Sequence, residues 1–83
     1  EAGIFPNPTI DNLYLTLDVT RNISSVMDVN IIDMLGKVVK SNTLNVQEGL
    51  NVFEVNTSDI KAGTYLIRIN NGKQSLVQKF VKK

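Results

Sequence analysis

Cysteine, histidine and tryptophan are all missing from these 83 residues. Without cysteine there is no disulfide framework, thiolate metal site or nucleophilic thiol, and without histidine the commonest general base and zinc ligand is gone too. Those two zeros exclude most catalytic templates, and neither a cofactor nor a metal is expected. The missing cysteines leave the compartment open, because a core that needs no staples folds in oxidising and reducing surroundings alike. Charge of one sign is also lacking: 9 Lys and Arg against 8 Asp and Glu leave +1. That balance gives no electrostatic ground for nucleic acid, an anionic membrane or an acidic substrate as partner. No run approaches the roughly 18 apolar residues needed to span a bilayer, so no membrane insertion is expected. Neither an initiator Met nor an apolar leader opens the chain at Glu1-Ala2-Gly3, which reads as a piece of something longer.

What is present is enough for one small packed core. The hydrophobic share is 42%, ordinary for a globular domain and too high for a disordered tail. A chain of this size buries only about 60 to 65 per cent of its unfolded surface, which leaves room for one domain. Residues 1–3 read as a linker remnant and 4–83 as the folded unit.

The hydrophobic pattern has a period of two. Leu13, Leu15, Leu17 and Val19 alternate with polar residues, which marks a half-buried strand. Met27, Val29 and Ile31 do the same, until Asp33-Met34-Leu35-Gly36-Lys37 supplies a turn and Val38-Val39 resumes the apolar pattern. Leu44 and Val46 lie before Gly49, and Asn51 to Val55 after it, predicting two short strands around that glycine. Tyr65, Ile67 and Ile69 alternate up to Asn71-Gly72, a hairpin dipeptide whose residues both tolerate positive φ, and a last strand from Lys73 to Val81 pairs back. Phe5-Pro6-Asn7-Pro8 reads as an edge or lead-in segment, since proline lacks the ladder donor. The expectation is an all-β, immunoglobulin-like antiparallel β-sandwich of about seven short strands with Greek-key connections; a small barrel is the alternative.

Chemistry is sparse. Ser58-Asp59-Ile60-Lys61 has the S-x-x-K spacing of a serine nucleophile with a lysine base, but it lies in a turn before Gly63 rather than on the helical turn that chemistry requires. Asp28, Asn30 and Asp33 could offer oxygens to Ca²⁺, yet strand alternation sends Asp33 to the opposite face. Tyr14 is a single solvent-facing ring, a poor platform for sugar, and Tyr65 reads as a core ring with its hydroxyl at the rim. Lys79, Lys82 and Lys83 around Phe80-Val81 read either as a basic recognition tail or as lysines blunting an edge strand. The protein is not expected to be an enzyme.

The order of the short motifs adds a resemblance. Pro6-Asn7-Pro8 comes first, then Val29-x-Ile31-Ile32-Asp33-x-x-Gly36-Lys37-x-Val39 and Gly49-x-Asn51. Ser58-x-Ile60-x-x-Gly63-x-Tyr65-x-Ile67-x-Ile69 and Lys79-Phe80-Val81-Lys82 complete a pattern that resembles the type A C-terminal sorting domain of the type IX (Por) secretion system of Bacteroidota. The resemblance runs from about Gly3 to Lys83. It implies a sorting signal that takes an N-terminal cargo domain, absent from this chain, through the periplasm and across the outer membrane to the cell surface or the medium. The implied partners are the type IX translocon, its outer-membrane shuttle protein and a sortase-like cysteine protease that removes the signal. Gly63, Tyr65, Lys79, Val81 and Lys82 are the implied recognition residues, and Pro6, Asn7, Pro8, Asp33, Gly36, Lys37, Gly49 and Asn51 are motif residues with structural roles. Val55-Asn56 departs mildly, standing where the family often has an apolar residue followed by Asp. The rival class is a non-catalytic immunoglobulin-like carbohydrate-binding or structural module of a secreted enzyme.

Overall fold

The computed structural model describes residues 2–19, 25–70 and 75–83. Among the described residues seven strands run in chain order: β1 Ala2–Phe5, β2 Asn12–Val19, β3 Ser25–Asp33, β4 Val38–Val46, β5 Gly49–Asn56, β6 Gly63–Asn70 and β7 Ser75–Lys82. No helix occurs among the described residues. One sheet has the order β1-β2-β5 and the other β4-β3-β6-β7, with every pairing antiparallel. This is the two-sheet antiparallel architecture expected of the period-two pattern.

The alternation of each strand decides what lies between the sheets. Leu13 and Leu15 of β2 and Val55 of β5 face Val29 and Ile31 of β3, Tyr65, Ile67 and Ile69 of β6, and Phe80 of β7 in one buried cluster. Leu13, Leu15 and Phe80 are fully shielded from solvent. The Tyr65 and Phe80 rings stack with centroids 5.8 Å apart. Burial of one such side chain stabilises by about 1.5 to 3 kcal/mol relative to leaving it exposed.

Three expectations need correction. Residues 38–46 form one continuous strand rather than two short ones. Val38 and Val39 do not resume the buried pattern: both are exposed, because β4 is an edge strand and the register slips between Ile31 and Ile32, so two residues of β4 oppose one of β3. Ala2–Phe5 forms a strand of its own, β1, paired Ala2 to Leu17 through Phe5 to Tyr14. The Asn71-Gly72 hairpin signal lies outside the described residues.

Candidate recognition surface

The end of β3, the start of β6 and the end of β7 lie side by side, since Asp33 pairs with Tyr65 and Gly63 with Lys82. Most of the motif residues gather at this end of the sandwich. The β3–β4 turn is held by Asp33, whose Oδ1 accepts hydrogen bonds from the backbone amides of Leu35 (3.0 Å) and Lys37 (2.9 Å). Gly36 sits at φ 88, a left-handed conformation that side-chain-bearing residues resist. The motif therefore builds a tight turn that leaves Leu35 95% exposed at its tip.

Residues 6–10 lie along the outer side of β7. Asn7 Oδ1 accepts from the Val81 amide at 2.9 Å and its Nδ2 donates to the Lys79 carbonyl at 3.4 Å. Two residues on, the Thr9 amide donates to the Val81 carbonyl and the Thr9 carbonyl accepts from the Lys83 amide, both at 2.8 Å, making a parallel bridge between Thr9 and Lys82. The Asn side chain imitates a strand residue, and the two prolines flanking it need no ladder donor. Thr9 itself is fully buried, its hydroxyl donating to the Asn12 carbonyl. On the other side of the same corner, Thr57 is fully buried, and its amide and hydroxyl both donate to the Asp11 carbonyl. Sequence reading missed Thr9 and Thr57, whose partners are distant in the chain and leave no periodic signal.

The implied recognition residues separate into two sets. Lys79 and Val81 are exposed on the outer face of the second sheet. Lys82 is buried at 7% exposure, its Nζ donating to the Ile10 carbonyl, so its charge ties the N-terminal segment to β7 rather than standing free. Tyr65 is buried as well, its hydroxyl donating to the Lys61 carbonyl at 2.6 Å. With Phe80 in the core, residues 79–83 are an integral strand end and not a detachable basic tail. Gly63 adopts φ +157, where a side chain is strained; the nearest atom to an added Cβ would be Tyr65 Cε2 at 3.7 Å, an ordinary contact. What this position asks of glycine is therefore backbone conformation, not room for a close neighbour.

Gly49 and Asn51 lie at the opposite end of the sandwich. Gly49 turns at φ 97, and Asn51 closes the β4–β5 corner: its Oδ1 accepts from the Gln47 amide, and its Nδ2 donates to carbonyls of Gln47, Leu17 and Gly49.

Several polar groups singled out in the sequence are engaged in structure. Ser58 Oγ donates to Asn56 Oδ1 at 2.6 Å, within the turn rather than toward Lys61. Asn30 Oδ1 accepts from Ser41, and Asp33 serves its turn. Among the described residues no His, Cys, Asp and Glu side chains gather in a metal-binding group. An open groove of about 340 Å³ runs between Asp33, Lys37, Asp59, Lys61 and Tyr65; its Asp59 carboxylate is paired with Lys40 at 3.1 Å. Tyr14 stacks on Phe5 with centroids 5.5 Å apart and donates to Glu54, whose carboxylate pushes the phenol pKa upward. Each ring covers one face of the other, so neither stands as a separate open platform of the kind a sugar-binding site displays.

A family model described as a secretion system C-terminal sorting domain matches residues 3–83. No curated protein matches the chain.

Proposed function

The chain belongs to the secretion system C-terminal sorting domain family, whose members are the sorting signals of type IX secretion cargo proteins, and we propose that the end of the sandwich carrying Lys79 and Val81 is what the translocon and its outer-membrane shuttle protein read. Membership implies contact with the secretion machinery and export to the cell surface or the extracellular space. The observation that supports this location is the convergence of the first and last motifs on one corner, where Asn7 and Thr9 brace the strand that presents Lys79 and Val81. A recognition residue held on a braced strand keeps its geometry whatever cargo precedes it.

Gly63, Tyr65 and Lys82 take part by shaping that corner, and Lys79 and Val81 by touching the partner. A sortase-like cysteine protease then cuts ahead of β1, so that the cargo leaves while the sandwich stays whole. The linker that is cut then lies ahead of Ala2, and the signal starts with β1. The sugar-binding alternative is disfavoured by the mutual stacking of Phe5 and Tyr14.

The test is fractionation of a type IX-competent host that expresses a signal peptide, a passive reporter and this segment in one chain. Delivery of the reporter to the surface or the medium is the expected result. Equal periplasmic retention with and without the segment would refute the sorting role.

A further inference from the structure

Every open sheet has edges, and an edge strand with unpaired backbone groups invites another strand unless something blunts it. Three of the four edges here are blunted. β1 has four residues and runs into Pro6 and Pro8. β4 carries Lys40 and the register slip at Ile31 and Ile32. β5 carries the charge of Glu54 on its outer face, opposite Tyr14.

β7 is different in its first half. Its outward-facing backbone groups alternate, as the bonds of Val81 and Lys83 to the N-terminal segment and of the Lys79 carbonyl to Asn7 show. The same alternation turns the amide and carbonyl of Val77 outward, beyond the reach of residues 7–9. Residues 75–78 are Ser, Leu, Val and Gln, with no charge and no proline, and Leu76 and Val77 are 42% and 48% exposed. The stretch is flanked by cations, Lys79 along the strand and Arg68 paired across from Val77. Arg68 Nε is shielded from solvent and has no hydrogen-bond partner among the described residues.

We propose that the uncovered edge of β7 at residues 75–78 accepts an extended strand from a protein of the export machinery, one that carries apolar side chains beside Val77 and an acidic side chain toward Lys79 and Arg68. Main-chain hydrogen bonds supply affinity in such strand addition, and the alternating side chains supply specificity. The N-terminal segment, already bonded to the second half of the same edge, sets where the added strand stops. This inference rests on the sorting role proposed above and assigns it a contact.

Val77→Pro removes an outward donor while leaving the ladder to β6 intact, and Val77→Lys places a charge on the edge, so the two block strand addition by different means. Each is placed in the signal peptide–reporter fusion, beside Thr43→Lys on the blunted β4 edge. The expected result is a fall in surface delivery of about tenfold, the equivalent of roughly one hydrogen bond lost in binding, for both Val77 variants and not for Thr43→Lys, with the thermal transition unmoved. Wild-type delivery of Val77→Lys, or losses that track a lowered melting temperature, would overturn the proposal. So would a purified protein that is dimeric as wild type and monomeric as Val77→Lys with export unchanged, since the edge would then serve a second copy. Retention of the unsubstituted fusion in the periplasm is a separate outcome: it refutes the sorting role and takes this contact with it.

Discussion

Asn51 and Asn7 are both clamps, yet they work over different distances. Asn51 binds Gln47 and Gly49, four and two residues away, and reaches Leu17 from the same corner. Asn7 binds Lys79 and Val81, with more than seventy residues between the partners. The first clamp forms as soon as its turn forms. The second can form only after both sheets have assembled and β7 has docked, so the corner it closes depends on the completed fold. Loop-closure entropy grows slowly with length, which is why so distant a contact is tolerable once the core has brought its partners near.

The largest effect should come from the residue on which the distant corner leans. Phe80 is fully buried, stacks on Tyr65 and lies between Lys79 and Val81, the two positions that Asn7 holds. Phe80→Ala should cost about 3 to 5 kcal/mol, much of the roughly 4 to 12 kcal/mol available to a domain of this length. Denaturant unfolding measures it. A cost below about 1 kcal/mol would mean that β7 is dispensable for folding and that the corner is not anchored there.

The two clamps themselves come next. Nδ2 has two hydrogens for three carbonyls, so Asn51→Ala should cost about 1 to 2 kcal/mol and Asn7→Ala about 1 kcal/mol. Hydrogen exchange separates them better than stability does. Asn7→Ala should speed exchange at Val81 and Lys83 and leave Gln47 protected, while Asn51→Ala should expose Gln47 alone. If Asn7→Ala speeds exchange across all of β7, the strap holds the whole strand and the contrast between local and distant clamps fails.

The same contrast explains what could be read in the sequence. Leu13, Leu15 and Leu17, and Tyr65, Ile67 and Ile69, announce their strands because each buries alternate residues against the other sheet. Asp33, Gly36 and Gly49 are legible for a similar reason, since their turns close within a few residues, whereas Asn51 is marked only by the family resemblance. β1 was missed because Ala2-Gly3-Ile4-Phe5 has no alternation. Val38 and Val39 misled because their exposure depends on being at an edge beside a register slip, which local pattern does not record. Lys82 misled most: a lysine in a basic C-terminal run reads as a solvated charge, and only the position of the Ile10 carbonyl makes it an internal tie. The distant corner is thus the part that local pattern hides.

The smallest effect belongs to a contact of intermediate range, the Lys40–Asp59 pair, which joins β4 to the loop before β6. The Lys40 hydrogen bond, with the charges of Lys40 and Lys82, holds the Asp59 carboxyl below its ordinary value of 3.8. Asp59 is solvent-exposed, so water and salt screen the pair and its worth is small. Because folding lowers this pKa, the contribution is complete above 3.8 and is lost as pH falls through the lower folded-state value. The melting temperature of the wild type should therefore exceed that of Asp59→Asn slightly near neutral pH, with the gap closing in acid and shrinking in high salt. A gap that persists unchanged in acid would show that Asp59 acts through the backbone of its loop, and would move this contact from the electrostatic column to the class of local clamps that Asn51 represents.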